Sequence, residues 1–261
     1  MSTGAAPAVI LPDWPAPPRV RAASTERGAS ASEGPYERFN LGAHVGDNPE
    51  AVVANRHALI ETLGLASEPH WLEQIHGGAV LDLDAETGPF PISHRDRENS
   101  APKADGAVTS HPGRACVVMT ADCLPVLFCD TAGRRVGIAH AGWRGLAAGV
   151  LPATIARMGA DPARILAWLG PAIGQRAYEV GEEVRRVLVG ADPGAEACFE
   201  PNEKGRWQAD LYGLARRVLE GVGVTSIYGG GFCTYTESER FFSHRREAPC
   251  GRMATLVWLD P

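Results

Sequence analysis

The stretch that decides the fold of this chain reads CVVMTADCLPVLFCD at positions 116–130 and continues as RRVGIAHAGWRG at positions 134–145. It contains apolar runs of the β type, and two of them lead into a polar residue that is unusual in such a context. Cys123 follows the first of these runs, and His140 closes the second. Gly142-Trp143-Arg144-Gly145 comes next, and a helical pattern begins behind it. Because ligands of α/β proteins bind at strand ends, the stretch predicts a functional site there.

Composition and charge indicate which classes of protein and partner are compatible with this chain. The chain has 261 residues, 44% of them hydrophobic, and a net charge of -6, so it can bury a substantial core and form one large domain or two small ones. Without a basic block, we expect no nucleic acid and no membrane as partner, but a small-molecule substrate. No secretory signal and no apolar run of roughly 20 residues is recognisable, which predicts a cytoplasmic protein. Its six cysteines, which form no Cys-x-x-Cys pair, are then expected to be thiols.

Strand-like and helical patterns alternate along the chain, although several strands also follow one another directly. This order predicts an α/β fold, a mixed sheet with helices on its faces, in one domain over residues 19–261 after a flexible tail at 1–18. We expect a monomer or a weak oligomer. The predicted helices cover residues 49–63, 146–158, 178–189 and 211–219. The predicted strands include residues 19–23, 71–76, 80–83, 165–169, 226–228 and 253–259, and residues 85–103 are expected to form a loop.

His76, Cys123 and His140 each end a strand-like run beside small residues. If they converge, they supply three protein ligands and leave a fourth position for water or substrate, which is the pattern of catalytic zinc. Such a metal lowers the pKa of bound water and keeps the cysteine as thiolate. Arg144 follows at a helix start, where it can clamp an anion. The plainer interpretations are a buried core for the cysteine and histidines and a surface salt bridge for Arg144.

Seven short motifs occur in an order that resembles the YfiH-like family, long labelled laccase domain or polyphenol oxidase, and the resemblance runs from about Arg19 to the end of the chain. The motifs are Asn40-Leu41-Gly42 with Gly46-Asp47, Gln74-Ile75-His76-Gly77, Ala104-Asp105-Gly106, Thr120-Ala121-Asp122-Cys123-Leu124-Pro125-Val126, Ala139-His140-Ala141-Gly142-Trp143-Arg144-Gly145, Gly170-Pro171-Ala172-Ile173 and Phe242-Ser243-His244-Arg245-Arg246.

The resemblance implies a mixed α/β single-domain fold and a metal site at His76, Cys123 and His140. It also implies phosphorolysis of adenosine, inosine and methylthioadenosine, together with deamination of adenosine. Older labels of the family imply copper-dependent oxidation of phenols, and some bacterial members are linked to editing of peptidoglycan precursors. The chain departs from the family at residues 24–29, where Ser24-Thr25-Glu26-Arg27-Gly28-Ala29 replaces the usual glycine-rich turn.

Two enzymatic alternatives to the nucleoside chemistry remain open at this point, and a metal-buffering or redox-sensing binder is the non-enzymatic one. A copper oxidase of the laccase type is disfavoured, since the eight histidines form no His-x-His pair, although the three candidate ligands also suit a single copper. A cysteine hydrolase would use Cys123 as nucleophile, activated by His140 or His76, with the amides of residues 142–145 as oxyanion hole. That role competes with zinc for the same thiolate.

For the nucleoside chemistry we assign expected roles to the remaining polar residues. Arg144 and the turn Ser243-His244-Arg245 would hold phosphate and substrate. Asn40 would hydrogen-bond the substrate, and Asp47 would support a ligating histidine, unless both are simple turn residues. Asp122 or Glu73 would move the proton during deamination. The sequence therefore predicts a zinc-dependent purine nucleoside phosphorylase with adenosine deaminase activity, with copper as the alternative metal.

Overall fold

The computed structural model describes residues 7–85 and 101–261. Residues 86–100, most of the predicted loop, lie outside the described ranges. The strands are β1 Val9–Ile10, β2 Val20–Thr25, β3 Val80–Asp82, β4 Gly106–Thr109, β5 Ala115–Thr120, β6 Leu124–Asp130, β7 Val136–Ala141, β8 Ile165–Leu169, β9 Glu179–Val180, β10 Phe199–Pro201, β11 Trp207–Ala209, β12 Ser226–Gly229 and β13 Met253–Leu259. The α-helices are α1 Pro49–Leu63, α2 Trp143–Ala147, α3 Val150–Met158, α4 Glu182–Ala191 and α5 Leu211–Gly221.

The quoted stretch supplies the centre of a six-stranded sheet. Its strand order is β12-β8-β6-β7-β4-β3, in which β12/β8 and β3/β4 are parallel and the other neighbours are antiparallel. The turn at 131–133 joins β6 to β7. Every residue of these two strands is buried, because both faces of the sheet are covered, and this explains their nearly continuous apolar sequence.

A second sheet covers one face of the first. Its order is β1-β2-β13-β5, with antiparallel neighbours throughout. The predicted tail contributes Val9–Ile10 to this sheet as β1. A small third sheet has the order β10-β11-β9, and its strands form no ladder with the strands of the other two sheets.

Alternate residues of the central strands point to opposite faces of the sheet and pack in different layers of the molecule. On β6, Leu127 and Cys129 pack in a cluster with residues of β5 and β13, between the two large sheets, whereas Val126 and Phe128 pack in the cluster that contains helices α2 to α5. Helix α1 packs through Leu59 against the outer face of the second sheet. The order of layers is therefore α1, the four-stranded sheet, the six-stranded sheet, and helices α2 to α5.

The α/β class, the mixed sheet and the single domain are as predicted, and the division of the strands among several sheets is new. Helix α1 has the predicted bounds: the Asn48 side chain accepts a hydrogen bond from the Glu50 amide, and Gly64 ends the helix with φ of 62°. The predicted strands at 165–169 and 253–259 are confirmed. No helix among the described residues is both long and apolar enough to cross a membrane.

Three predicted elements were wrong. Residues 71–76 form no strand; instead the side chain of Gln74 bonds both the amide and the carbonyl of Met119, at 2.8 Å each, and so occupies a strand partner's place at the edge of β5. The helix predicted at 146–158 is two helices, because Gly149 adopts φ of 78° between them. The helix predicted from residue 178 begins only at Glu182, since the carbonyl of Tyr178 accepts the Ala209 amide as β9 pairs with β11.

Candidate metal centre

The fold brings His76, Cys123 and His140 together. Their potential ligand atoms all lie within 4.8 Å of one another. The two imidazole rings meet edge to face, with their centroids 4.8 Å apart. His140 is buried, Cys123 is half-buried and His76 is exposed at the opening of the group. One thiol and two imidazoles converging in this way fit a tetrahedral metal ion with an open fourth position.

Strand pairing positions two of these side chains. In the β6–β7 hairpin Pro125 lies opposite His140 and Leu124 lies opposite Ala141. Cys123 and Gly142 are the next two residues, and they face each other just beyond the last strand pair. At Gly142 an added Cβ would lie 2.7 Å from the Cys123 sulfur, which is closer than any real contact of this kind. Glycine at this position therefore leaves the space that the thiol occupies.

Asp105 fixes the orientation of both histidines from a fully buried position. Its carboxylate accepts a hydrogen bond from His140 Nδ1 at 2.8 Å. It also accepts the backbone amides of Ile75, His76 and Gly77, at 3.2, 2.9 and 2.7 Å. These bonds hold the His76 turn, in which His76 itself has φ of 60°. A carboxylate that fixes the ring of a ligating histidine raises its basicity and selects its tautomer.

Asp47, which the sequence predicts as the support of a ligating histidine, has another role. The structure instead uses the Asp47 carboxylate to accept bonds from the Ser32 hydroxyl, the Asn40 amide and the Asn48 backbone. Asp47 thus organises the loop before α1. Asp105 was quoted only as part of a motif, and its position just before β4 was the available signal for its role.

The charges of the group favour a thiolate. Burial alone would raise the pKa of Cys123, but His140 and His76 lower the pKa to about 6. Burial would lower the pKa of His140, whereas the Cys123 thiolate and the Asp105 carboxylate raise it to about 9. Burial would also raise the pKa of Asp105, yet its bonds from His140 and the Gly77 amide lower it below its usual range. A deprotonated sulfur is the form that binds a metal or attacks a substrate.

Asp122 precedes Cys123 in a strained conformation, with φ of 97°, which costs about 1–2 kcal/mol for a residue other than glycine. Its carboxylate accepts the Thr234 hydroxyl at 2.6 Å and the Arg245 amide at 2.7 Å, and its carbonyl accepts the Ile173 amide at 2.9 Å. These three bonds offset the strain and tie the cysteine turn to the loops at Ile173, Thr234 and Arg245.

The group opens into a cavity of about 1360 Å³. We call one part of its lining the apolar wall, formed by Val53, Trp71, Leu72 and Met119. We call another part the polar wall, formed by Asp122, Tyr178, His244 and Arg245. A volume of this size accommodates a nucleoside-sized ligand.

Three further cavity residues carry or modulate charge. Arg56 stacks on Trp71, with its guanidinium carbon 3.8 Å from the ring centroid. Arg252 and His44 also line the cavity. Burial, together with the charges of Arg252, Arg56 and His76, lowers the pKa of His44. His44 therefore stays neutral beside the candidate ligands, able to donate one hydrogen bond and accept another.

Of the other predicted site residues, Asp122, His244, Arg245 and Glu73 line the cavity, whereas Asn40, Arg144 and Ser243 are not part of its lining. The side chain of Asn40 is fully buried and bonds Gly42, Asp47 and the Arg252 amide. Ser243 is buried and accepts the Arg246 amide.

The predicted anion clamp takes an exposed position. Arg144 lies outside the cavity lining, over the ring of Trp143 at 4.5 Å. Helix α2, which it begins with Trp143, has only five residues. Tyr178, His44 and Arg252 line the cavity although sequence reasoning missed them, since single polar residues in loops carry no periodic signal.

Residues 21–260 match the family described as multi-copper polyphenol oxidoreductase laccase. The chain is 49% identical over 252 residues to a protein of Pseudomonas aeruginosa named purine nucleoside phosphorylase, covering 96% of this chain and 98% of that one. It is 50% identical over 251 residues to purine nucleoside phosphorylase YfiH of Escherichia coli, with the same coverage.

Two solved structures share the fold. A crystal structure from Neisseria meningitidis superposes with a TM-score of 0.88 at 46% identity, covering 97% of this chain and 99% of that one. YlmD from Geobacillus stearothermophilus superposes with a TM-score of 0.83 at 31% identity, covering 94% and 93%. The chain therefore belongs to the YfiH-like family of laccase-domain proteins.

Replacing Gly142 with alanine should displace the Cys123 sulfur, because the new methyl group would occupy its place. We expect bound metal to fall well below that of the wild type, while the circular dichroism spectrum stays unchanged. Elemental analysis of purified protein measures this. Gly221→Ala is the matched control, because nothing lies within 4 Å of the position of its Cβ. Equal metal content in Gly142→Ala and wild type would contradict the placement of the sulfur.

Replacing Asp105 with asparagine should reduce metal affinity about 10- to 100-fold, because the histidines lose the carboxylate that orients them. Competition against a chromophoric chelator measures the affinity. Asp84→Asn provides the control, since Asp84 also accepts several hydrogen bonds, from Thr109 and Ser110, but belongs to another loop. An unchanged affinity in Asp105→Asn, with the fold intact, would rule out this role.

Proposed function

We propose that this protein is a zinc-dependent purine nucleoside phosphorylase that acts on adenosine, inosine and methylthioadenosine and also deaminates adenosine. The observation that carries the proposal is the convergence of His76, Cys123 and His140 at the opening of a nucleoside-sized cavity. The names of relatives that match nearly the whole chain at 49–50% identity support the phosphorylase part of this proposal.

His76, Cys123 and His140 would hold the zinc ion, and its positive charge would polarise a substrate oxygen or water in the cavity. The ligand set of one thiolate and two imidazoles suits zinc, and copper is the alternative metal. His140, fixed through Nδ1 by Asp105, would face the ion with its other ring nitrogen.

In phosphorolysis a phosphate oxygen forms a bond to C1′ of the ribose while the bond from C1′ to the purine nitrogen breaks. The electron pair of that bond leaves with the purine, which takes up a proton. The ribosyl group is cationic at the transition state, so an anion held next to it is stabilising. Arg245 supplies a positive charge in the polar wall for this anion, and His244 lines the same wall.

The apolar wall is the expected place for the purine. Val53, Leu72 and Met119 offer apolar surface, and the indole of Trp71 is already covered by Arg56 on one face. Neutral His44 near His76 can both donate to and accept from the edge of a base.

Deamination replaces the 6-amino group of adenine with an oxygen from water and releases ammonia. A group that accepts and returns the proton is needed. Asp122 and Glu73 both line the cavity. Both oxygens of Asp122 already accept hydrogen bonds, whereas the ion pair of Glu73 among residues 7–85 and 101–261 is a long one, 3.8 Å from Lys103. Glu73 is therefore the better placed of the two carboxylates for proton transfer.

A cysteine hydrolase remains the second candidate because of one specific observation. Asp105, His140 and Cys123 follow one another in hydrogen-bonding order, as the members of a catalytic triad do. In that case the thiolate would attack the carbonyl carbon of an amide or ester in a peptidoglycan precursor. The amine or alcohol would leave with a proton from His140, and water would then hydrolyse the thioester to free the cysteine. The same sulfur cannot be a zinc ligand and a free nucleophile at once.

Chromatography of the products from adenosine, with and without phosphate, tests the proposal. Adenine and ribose 1-phosphate that appear only with phosphate support phosphorolysis, and inosine formed without phosphate supports deamination. Absence of both products with zinc-loaded wild type would overturn the nucleoside function. Release of product from muropeptide precursors would then favour the hydrolase.

Cys123→Ala should abolish both nucleoside activities and lower the bound metal, because the only sulfur of the group is lost. Cys233→Ala is the control, a half-exposed cysteine outside the group. Activity and metal content are measured on the same preparations, and a thermal melt reports on the fold. Wild-type zinc content in Cys123→Ala would exclude the cysteine as a ligand.

A further inference from the structure

Tyr178 is a polar-wall residue that no motif singled out. Its backbone is fixed on both sides: its amide donates to the Gln175 carbonyl at 3.1 Å and its carbonyl accepts the Ala209 amide at 3.0 Å. The Gln208 side chain holds the same turn through the carbonyls of Gln175 and Arg176. The ring of Tyr178 is thus presented to the cavity by a rigid segment.

The phenol hydroxyl of Tyr178 has no hydrogen-bond partner among residues 7–85 and 101–261, although the residue is half-buried in the cavity lining. Tyr212 shows the usual arrangement, with its hydroxyl bonded to Ala172, Gly170 and Phe232. Because no protein group bonds the Tyr178 hydroxyl and the residue lines the cavity, this hydroxyl is free to donate to an acceptor atom of a ligand.

Tyr178 remains protonated, so it acts as a donor. Burial raises the pKa of its phenol, and the neighbouring charges of Cys123 and Asp122 raise it further, while Arg245 and Arg144 act in the opposite direction. Tyr178 shares the cavity lining with Cys123, Asp122 and Arg245, so its hydroxyl serves the same cavity as the metal centre.

Arg245 indicates which kind of acceptor this is. Its guanidinium carbon lies 5.6 Å from the centre of the Tyr178 ring. Nη1 donates to the Glu179 carbonyl, and in the described part of the chain no carboxylate side chain forms an ion pair with this guanidinium. Arg245 is exposed at the cavity, so its charge is accessible to a bound anion. An anion with several oxygens would compensate Arg245 and accept from Tyr178 together.

Cys123 and Asp122 both act as negative charges on Tyr178, and Cys123 has the larger effect. Asp122 is the carboxylate of the pair. Both of its oxygens accept hydrogen bonds, from Thr234 and from the Arg245 amide, so its charge is partly compensated. The apolar wall, in contrast, offers apolar surface for a planar ligand but few hydrogen-bond donors. The two walls thus suit the two reactants of a phosphorolysis.

We propose that Tyr178 and Arg245 form the subsite for inorganic phosphate, in which the Tyr178 hydroxyl donates to a phosphate oxygen and Arg245 balances the charge. This inference rests on the proposed function, and it adds a substrate-binding residue to it. A phosphate subsite affects only one of the two activities, because phosphorolysis consumes phosphate and deamination does not.

Tyr178→Phe keeps the ring and removes only the hydroxyl. With zinc-loaded enzyme and inosine, we expect the KM for phosphate to rise about 10-fold or more. The KM for inosine, the zinc content and the rate of adenosine deamination should stay within about two-fold. Arg245→Gln should raise the KM for phosphate in the same selective way. Tyr228→Phe, on β12 and outside the cavity lining, is the control and should change none of these values.

Two outcomes would overturn the subsite while the proposed function stands: a KM for phosphate that is unchanged in Tyr178→Phe, or a rise confined to the KM for inosine. If the wild type turned over no nucleoside, the proposed function would fail and the subsite would be tested by phosphate binding alone. Phosphate should then raise the melting temperature of the zinc-loaded wild type above that in chloride of equal ionic strength. The same shift in Tyr178→Phe, or none in the wild type, would overturn the subsite.

Discussion

The buried carboxylate of Asp105 is the interaction on which the rest of the site depends. It binds the ring of His140 and three successive amides of the His76 turn, while its own carbonyl accepts the His140 amide at 2.6 Å. A charge this deeply buried is tolerated only when it is fully hydrogen-bonded. The bonds that stabilise the carboxylate are the same ones that fix both histidines, so the stability of this region and the geometry of the metal centre cannot be separated.

The layers of the fold explain how such a site can be rigid and accessible at once. The β6–β7 hairpin is buried on both faces, and its end carries Cys123 and His140. The loops at Thr234 and Arg245 are tied to that end through the strained Asp122. Cys123 and His140 therefore stand at the end of buried strands, whereas Tyr178, His244 and Arg245, which are assigned to phosphate, lie on loops around them. This is the usual division between scaffold and specificity.

The sequence predicted the features of the fold and site that have a local pattern, such as an apolar run or a helix cap, and missed those that depend on long-range contacts. The apolar runs located the central strands and placed Cys123 and His140 near their ends, and the caps at Asn48 and Gly64 set the bounds of α1. His76 was selected for a strand end that does not exist, since residues 71–76 pair through the Gln74 side chain. The roles of Asp105 and Tyr178 depend on contacts between segments that are distant in sequence, and no local sequence pattern predicts such contacts. Asn40 was quoted for a substrate role, yet its amide bonds connect the loop before α1 to Arg252.

The central claim is that His76, Cys123 and His140 bind one metal ion together. X-ray absorption spectroscopy of the purified, metal-loaded protein tests this most directly, since it identifies the element and resolves sulfur from lighter ligands. We expect zinc with one sulfur at about 2.3 Å and nitrogen or oxygen ligands at about 2.0–2.1 Å. A shell without sulfur, or with more than one sulfur, would contradict it.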